Sequence, residues 1–284
     1  MDRDQIYAKL QASAQSRETL FATLRSLPID VVGDALHYVP PEYPEVRAHL
    51  PAMASSDVQE AWTGSSGYPL LMQSCAFVRN LESNFFRYTG RSIDDTRILD
   101  YGCGWGRLIR LMYKFTAPDK IYGCDPWDKS IALCKEAALL GTIEQSEYLP
   151  TALPFPEVKF DLIYAFSVFT HLSEQAAHAA MSACRRYIAH DGLMAITVRP
   201  RSYWDFHNEV RPRKVDAAEL QQRHQMAGYA FSSDGKISID GQPVYGDASI
   251  SLEYMERMWP QWSVVGTDAM LQDGFQTIVY LRPA

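Results

Sequence analysis

Four short runs of the chain are almost continuously apolar: residues 97–102 (RILDYG), 120–125 (KIYGCD), 160–166 (FDLIYAF) and 192–198 (GLMAITV). Between them lie 107–115 (RLIRLMYKF), 128–140 (DKSIALCKEAALL) and 173–189 (SEQAAHAAMSACRRYIA), where apolar positions recur at helical spacing. Strand and helix therefore alternate. That order predicts βαβ units with right-handed crossovers and a mostly parallel sheet, its strands covered by helices on both faces. A weaker strand is predicted at 143–149 (IEQSEYL). The chain closes on 262–269 (WSVVGTDA) and 275–282 (FQTIVYLR), which predict a hairpin turning at Gln272-Asp273-Gly274.

The flanking segments read differently. Residues 3–26 carry one helical pattern through Ile6, Leu10, Leu20 and Leu24, closed by Pro28. Four prolines between Val39 and Pro51 argue against any regular element there. Residues 62–71 (WTGSSGYPLL) read as a loop leading into a helix over 70–88, on which Leu71, Cys75, Phe77, Val78 and Leu81 recur. The expected organisation is an N-terminal helical extension over 1–90, which also supplies a lid, and a second domain over 91–284. Within that domain, residues 200–259 are an insert before the sixth strand of the main sheet. The insert carries turn signals at Ser233-Asp234-Gly235 and Asp240-Gly241 and a helix over 250–258, capped by Ser249 or Ser251.

Composition narrows the function classes. The chain has 284 residues, enough to bury a full α/β core, and a net charge of −7, which lowers the expectation of a nucleic-acid phosphate partner. The charged segment MDRDQIYAKL lacks an apolar signal core and no run approaches ~18 apolar residues, so the expected location is cytoplasmic, with no membrane partner. Cys75, Cys103, Cys124, Cys134 and Cys184 have neither metal-ligand spacing nor a disulfide framework and read as small buried hydrophobes. His37, His49, His178, His190, His207 and His224 likewise lack metal-ligand spacing and read as surface or cap residues.

The chemistry is concentrated after the first strand, in Asp100-Tyr101-Gly102-Cys103-Gly104-Trp105-Gly106-Arg107. Glycine serves where a chain turns sharply and where a ligand must approach the backbone, and the N–H groups opening the next helix face that ligand. The glycines fall at alternate positions, unlike the GxGxxG of a dinucleotide turn, which suits a ligand without a pyrophosphate. Asp125 ends the second strand, where an acid accepts hydrogen bonds from ribose hydroxyls. Capping of the following helix is its structural alternative. Pro126 and Trp127 follow at once, a rigid turn and a flat ring against which an adenine packs.

In these residues, in 160–172 (FDLIYAFSVFTHL), in 190–197 (HDGLMAIT) and in the closing hairpin, the sequence resembles the class I S-adenosylmethionine-dependent methyltransferases. The resemblance covers roughly 97–199 and 261–284. It implies a Rossmann-like, doubly wound α/β fold with a seven-stranded, mostly parallel sheet and a terminal antiparallel hairpin. It implies S-adenosyl-L-methionine as methyl donor and S-adenosyl-L-homocysteine as product. Asp100, Gly102, Cys103 and Gly104 would then line the methionine end, Asp125 the ribose, and Pro126 and Trp127 the adenine. Tyr148 and Leu149 fall at the loop that touches the base, although Leu149 stands where many members have an Asp. Ala165, Phe166 and Ser167 would lie beneath the donor.

The resemblance implies an acceptor-side role for the loop after the fourth strand, which makes His171 the candidate general base; capping of the helix near Ser173 is its structural alternative. Tyr68 from the expected lid and Tyr203, Trp204 and Tyr245 from the insert are the expected substrate residues, beside Phe206, Arg211, Arg213 and Asp247, unless the insert is simply packed. The exit of the fourth strand (Tyr164-Ala165-Phe166-Ser167) has no Asn/Asp-Pro-Pro-Tyr, which argues against exocyclic amines of bases or glutamine. The expected acceptor is a small molecule or saccharide, methylated at oxygen, with no metal and with a homodimer left open. Rival readings are a non-catalytic donor-binding scaffold or sensor and a nicotinamide-dependent oxidoreductase.

Overall fold

The structure is a computed structural model that describes residues 3–270 and 272–284. Its fold is mixed α/β and Rossmann-like, with a main sheet of seven strands, mostly parallel and carrying one antiparallel hairpin. The chain divides into two compact units, Met1–Gln145 and Ser146–Ala284.

The first unit opens with six helices: α1 (Arg3–Ser13), α2 (Arg17–Arg25), α3 (Ile29–His37), α4 (Pro44–His49), α5 (Ser56–Thr63) and α6 (Gly67–Thr89). The single helical pattern expected over 3–26 is two helices, because the Ser16 side chain accepts the Thr19 N–H and caps a new start. The proline-rich stretch is not irregular throughout. Pro44 opens α4 as its first residue, the one helical position where a missing N–H costs nothing. The loop expected over 62–71 shrinks to the three residues between α5 and α6. Gly64 ends α5 at φ 72°, and the 23-residue α6 begins at Gly67. α6 buries Leu70, Cys75, Phe77, Val78, Leu81 and Phe85 along one side and stops at Gly90, φ 70°.

Next come β1 (Ile98–Tyr101), the short α7 (Ile109–Met112), β2 (Ile121–Asp125), α8 (Asp128–Glu136) and β3 (Thr142–Gln145). β2 pairs in parallel with β1 and with β3. All four residues of β1 are buried, the mark of a strand covered on both faces. The helix expected over 107–115 contracts to the single turn of α7.

The second unit holds β4 (Phe160–Ala165), α9 (Glu174–Tyr187), β5 (Ile188–Val198), α10 (Tyr203–Val210), α11 (Ala217–Ala227), β6 (Tyr229–Ser233), β7 (Ser238–Ile239), β8 (Gln242–Pro243), β9 (Gly246–Ile250), α12 (Leu252–Met258), β10 (Trp262–Met270) and β11 (Asp273–Pro283). β4 and β5 are parallel; β11 runs antiparallel to β5 and to β10, giving the expected closing hairpin. Met270 pairs with Asp273, so β11 starts inside the turn expected at 272–274. Asp240 and Gly241, φ 50° and 75°, join β7 to β8 as the Asp-Gly signal predicts.

The insert is more ordered than its sequence suggests. Tyr203, Trp204, Leu220 and Ala230 form its own core, and Phe206 and Phe275, stacked on each other at 4.2 Å, pack against it. Ser251, not Ser249, caps α12 by accepting the Tyr254 N–H. Ser249 is buried and accepts the Trp204 indole N–H at 2.8 Å. All five cysteines are free and buried, as expected. No helix among the described residues is long and apolar enough to cross a membrane.

Candidate functional site

In the first unit, β1 delivers Asp100, buried, to the start of the glycine turn. Gly102, Gly104 and Gly106 all have positive φ, 80°, 54° and 79°, a region side chains avoid. The turn is tied to β2 by N–H bonds from Gly102 and Cys103 to the Cys124 carbonyl, at 2.8 and 3.0 Å. The glycines differ in purpose. A Cβ on Gly106 would lie 2.2 Å from Leu139 Cδ2 at a φ of 79°, so a side chain here would both displace Leu139 and strain the backbone. A Cβ on Gly104 would meet only Trp62, at 3.4 Å, so here the backbone is bare toward the side where a ligand approaches.

Asp125 joins the end of β2 to that turn. Its Oδ2 accepts the Gly104 N–H at 3.0 Å and its Oδ1 accepts the Trp127 N–H at 2.9 Å. Burial raises its pKa, against the bonds from Trp127, Gly104 and Ser130. The two carboxylate oxygens have four lone pairs between them, so these three bonds leave acceptor capacity for one further hydroxyl. Trp127 is 40% exposed, a large aromatic held at the surface beside that carboxylate. The Trp62 ring, from the last turn of α5, stacks on it with centroids 4.6 Å apart, and the Trp62 indole N–H donates to Ser130 Oγ at 3.1 Å. Sequence reasoning included Trp62 only as the first residue of a loop. Its signal was an aromatic residue beside Thr-Gly, which reads as a helix end once Ser55 is seen to cap α5.

Tyr68 lies on the first turn of α6, 52% exposed, and its hydroxyl donates to Asp34 Oδ1 on α3 at 2.7 Å. The structure therefore ties it to α3.

In the second unit, Tyr148 and Leu149 are half-buried, and Ala165 and Phe166 are buried at the end of β4. Ser167 follows at φ 59°, strained for a non-glycine. It is held there by its N–H bond to Thr197 Oγ1 at 2.7 Å; Thr197 in turn donates to Gln276 Oε1 at 2.6 Å. Thr197 and Gln276 were not singled out by sequence reasoning. Each is a buried polar residue within an apolar strand run, which was the available signal.

His171 does not cap α9; Ser173 does, by accepting the Ala176 N–H. Instead His171 Nδ1 lies 2.7 Å from the Gly246 carbonyl. A carbonyl only accepts, so Nδ1 carries the proton and Nε2 presents its lone pair. Arg199 Nη2 faces that lone pair at 3.4 Å, and the Tyr245 ring stacks on the imidazole at 5.2 Å and 12°. Burial, then the Arg199 charge, hold the imidazole down to about 4, against the opposing pull of Asp247 and Gly246. His171 is thus neutral at pH 7, and its 3.7 Å separation from Asp247 is not an ion pair.

Asp247, on β9, is the hub of this cluster. Its Oδ1 accepts from Arg199 Nη1 at 2.6 Å and from the Tyr203 hydroxyl at 3.0 Å; its Oδ2 faces His207 Nε2 at 3.3 Å. Burial raises its pKa, but the Arg199 charge, together with His171 and the hydrogen bonds, brings it to about 2. Arg199 also donates to the Thr170 carbonyl at 2.8 Å and lies 4.0 Å over the Tyr203 ring. Tyr203 and Trp204, expected to face substrate, are 3% and 0% exposed and belong to the insert's core. His207 and His224, expected at the surface, are buried: His207 serves Asp247, and His224 Nδ1 lies 2.8 Å from Ser249 Oγ. Arg199 was missed because it directly follows the apolar β5 run and reads as the end of a strand.

With this geometry in place, comparison with known proteins is informative. Residues 98–192 match the family described as "Methyltransferase domain". No curated protein matches the chain. Among solved structures, the PH0226 protein from Pyrococcus horikoshii OT3 is similar with a TM-score of 0.51 and 13% identity, covering 74% of this chain and 90% of that one. An S-adenosylmethionine-dependent methyltransferase from Clostridium acetobutylicum ATCC 824 gives a TM-score of 0.49 and 12% identity, covering 80% and 96%. At these identities the first likeness is one of fold. The family match falls on the segment that carries the glycine turn, Asp125 and β4, and supports an enzyme of the S-adenosylmethionine-dependent methyltransferase type. The residues present fit the donor of such an enzyme: a backbone bare at Gly104, a carboxylate with an acceptor site to spare and an exposed flat ring. Bound there, the donor supplies an electrophilic methyl group on a sulfonium.

Proposed function

We propose that the chain transfers the methyl group of S-adenosylmethionine to a hydroxyl of a small molecule or saccharide, with His171 receiving the hydroxyl's hydrogen bond. The observation that carries this reading is the fixed tautomer of His171. Its proton is committed to the Gly246 carbonyl at 2.7 Å, so Nε2 is the accepting nitrogen, and a ligand O–H takes its lone pair by displacing the Arg199 Nη2 contact at 3.4 Å. The sulfonium loses its charge on transfer, so positioning the nucleophile in line with the methyl supplies most of the rate. A base as weak as an imidazole held near 4 does not ionise a hydroxyl in advance; it orients the O–H and takes the proton as the new bond forms. Asp247 acts as a positioning residue: it holds Arg199, which gives up its contact with Nε2 when the ligand O–H binds.

In the donor site, we assign Asp125 to the ribose and Trp127 to the adenine. Asp100, Gly102, Cys103 and Gly104 take the methionine end, and Tyr148, Leu149, Ala165, Phe166 and Ser167 complete the donor-facing set. α5 is the lid, with Trp62 as its contact. Of the expected substrate residues, Tyr245 keeps that assignment through its stack on His171; Tyr203 contributes indirectly, through Asp247.

The test is transfer of label from methyl-labelled S-adenosylmethionine into a metabolite extract, a glycan pool, a protein pool and an RNA pool. Label in the first or second, stable to mild base as an ether is, supports the reading. Label only in protein or RNA contradicts it.

A further inference from the structure

Arg110, on α7, is 2% exposed, yet no carboxylate pairs with it. Of its five N–H donors, Nη1 reaches the Pro51 carbonyl at 3.3 Å, while Nε and Nη2 are buried and without a partner. The indole N–H of Trp105, 3% exposed, is also buried and without a partner, and the guanidinium lies 5.5 Å from the Trp105 ring. Both residues line one cavity within the first unit, walled by α3 through Gly33 and Leu36 and by α6 through Leu70 and Ser74. Arg107 lines it as a second guanidinium, and none of the lining residues is an acid. The cavity measures about 20 Å³, against the ~10–15 Å³ that one water-sized body needs.

A buried guanidinium remains charged, because it cannot give up its proton at accessible pH. Burial lowers the pKa of Arg110, and the groups that oppose this, Tyr113 and Cys134, are not carboxylates. An unpaired buried charge is among the costliest features a fold can carry. A neutral water would satisfy a donor but leave the charge unbalanced. An anion does both.

We propose that this cavity is a binding site for a small monovalent anion of chloride size, held by Arg110 Nε and Nη2 and by Trp105 Nε1, with Arg107 adding positive potential. The anion ties α7 to the floor formed by α3 and α6, directly behind the glycine turn that contains Trp105. Donors converging from a guanidinium and an indole into an apolar pocket suit a weakly hydrated spherical ion, which needs few hydrogen bonds to replace its water. The inference stands apart from the methyltransferase reading, since none of its steps uses the donor.

The experiment follows the full chain by thermal unfolding at fixed ionic strength, as sodium gluconate is exchanged for sodium bromide. The expected result is a saturable rise in melting temperature with bromide, repeated with chloride. In Arg110→Met bromide affinity should fall about tenfold or more, since a hydrogen bond to a charged group is lost. Crystals of the unaltered protein grown in bromide should show an anomalous peak beside Arg110 and Trp105, which decides the matter even if the variant does not fold. A melting temperature indifferent to halide, or a bromide map without that peak, overturns the proposal. Loss of the peak when S-adenosylhomocysteine is added overturns it too, because the seat would then belong to a carboxylate of the donor.

Discussion

A carboxylate that accepts from two backbone N–H groups and a serine hydroxyl and still has an acceptor site to spare can do two tasks. Asp125's bonds to Gly104 and Trp127 set the turn, and its remaining lone pair is the one we assign to ribose. Asp125→Asn keeps the shape but presents one oxygen and an NH₂ where two acceptors stood. Donor affinity measured by calorimetry should fall about tenfold or more, the scale of one hydrogen bond to a charged group. The acceptor-side cluster makes a prediction in pH. His171 is held to about 4, below its ordinary 6.5, so the neutral form is favoured in the fold. Its contribution is fully present above pH 6.5 and is lost as pH falls toward 4, in all about 3 kcal/mol. Asp247, held to about 2 from 3.8, adds a second loss as pH falls from about 4 to 2. Urea unfolding at pH 7.5, 5.5 and 4.5 should show the first loss in the unaltered protein and a flatter profile in His171→Asn. Equal slopes would contradict the assigned burial of a neutral imidazole. Asp247→Asn leaves Arg199 without its carboxylate and should cost about 3–5 kcal/mol at pH 7.

Among the elements, the glycine turn, β1 and β2 were legible because each depends on local chemistry: alternate glycines, a continuous apolar run and a terminal acid. The segment proposed as the lid was legible only in outline. Residues 62–71 read as loop because Gly and Ser dominate them, but Ser55 and Gly64 bracket a helix whose last turn carries Trp62. Pro44 opened a helix where four prolines suggested none. The two buried histidines of the insert read as surface residues because their partners, Asp247 and Ser249, lie 40 and 25 residues away. Such pairings are set by tertiary packing and leave no local pattern. Two predictions belong to this scale. Gly106→Ala places a Cβ against Leu139 at a positive φ, and should destabilise by about 2 kcal/mol or more in chemical unfolding. The Trp62–Trp127 rings stand 4.6 Å apart, whereas a third ring between them needs about 7 Å, twice the ~3.5 Å carbon contact distance. A donor adenine resting on Trp127 therefore moves Trp62. The change in tryptophan fluorescence on binding S-adenosylhomocysteine should be mostly abolished in Trp62→Phe; an undiminished change would show that α5 is not the lid.

For the molecule as a whole, the order of strands and helices and the closing hairpin followed from periodicity, since parallel strands buried on both faces are apolar throughout. The insert followed less closely: its polar and aromatic composition left a pocket and a packed insert both open, and it folds around Tyr203 and Trp204 as a core of its own. Its contribution to the site comes through Asp247 and Tyr245, two residues on the return path from its β-strands, rather than through the aromatics that dominate its sequence. The account as a whole rests on the donor. Titration calorimetry of the full chain with S-adenosylmethionine, S-adenosylhomocysteine and NAD tests it most directly. Saturable binding of both sulfur nucleosides, weakened in Asp125→Asn, and no binding of NAD is the predicted result; binding of NAD with neither sulfur nucleoside would contradict it.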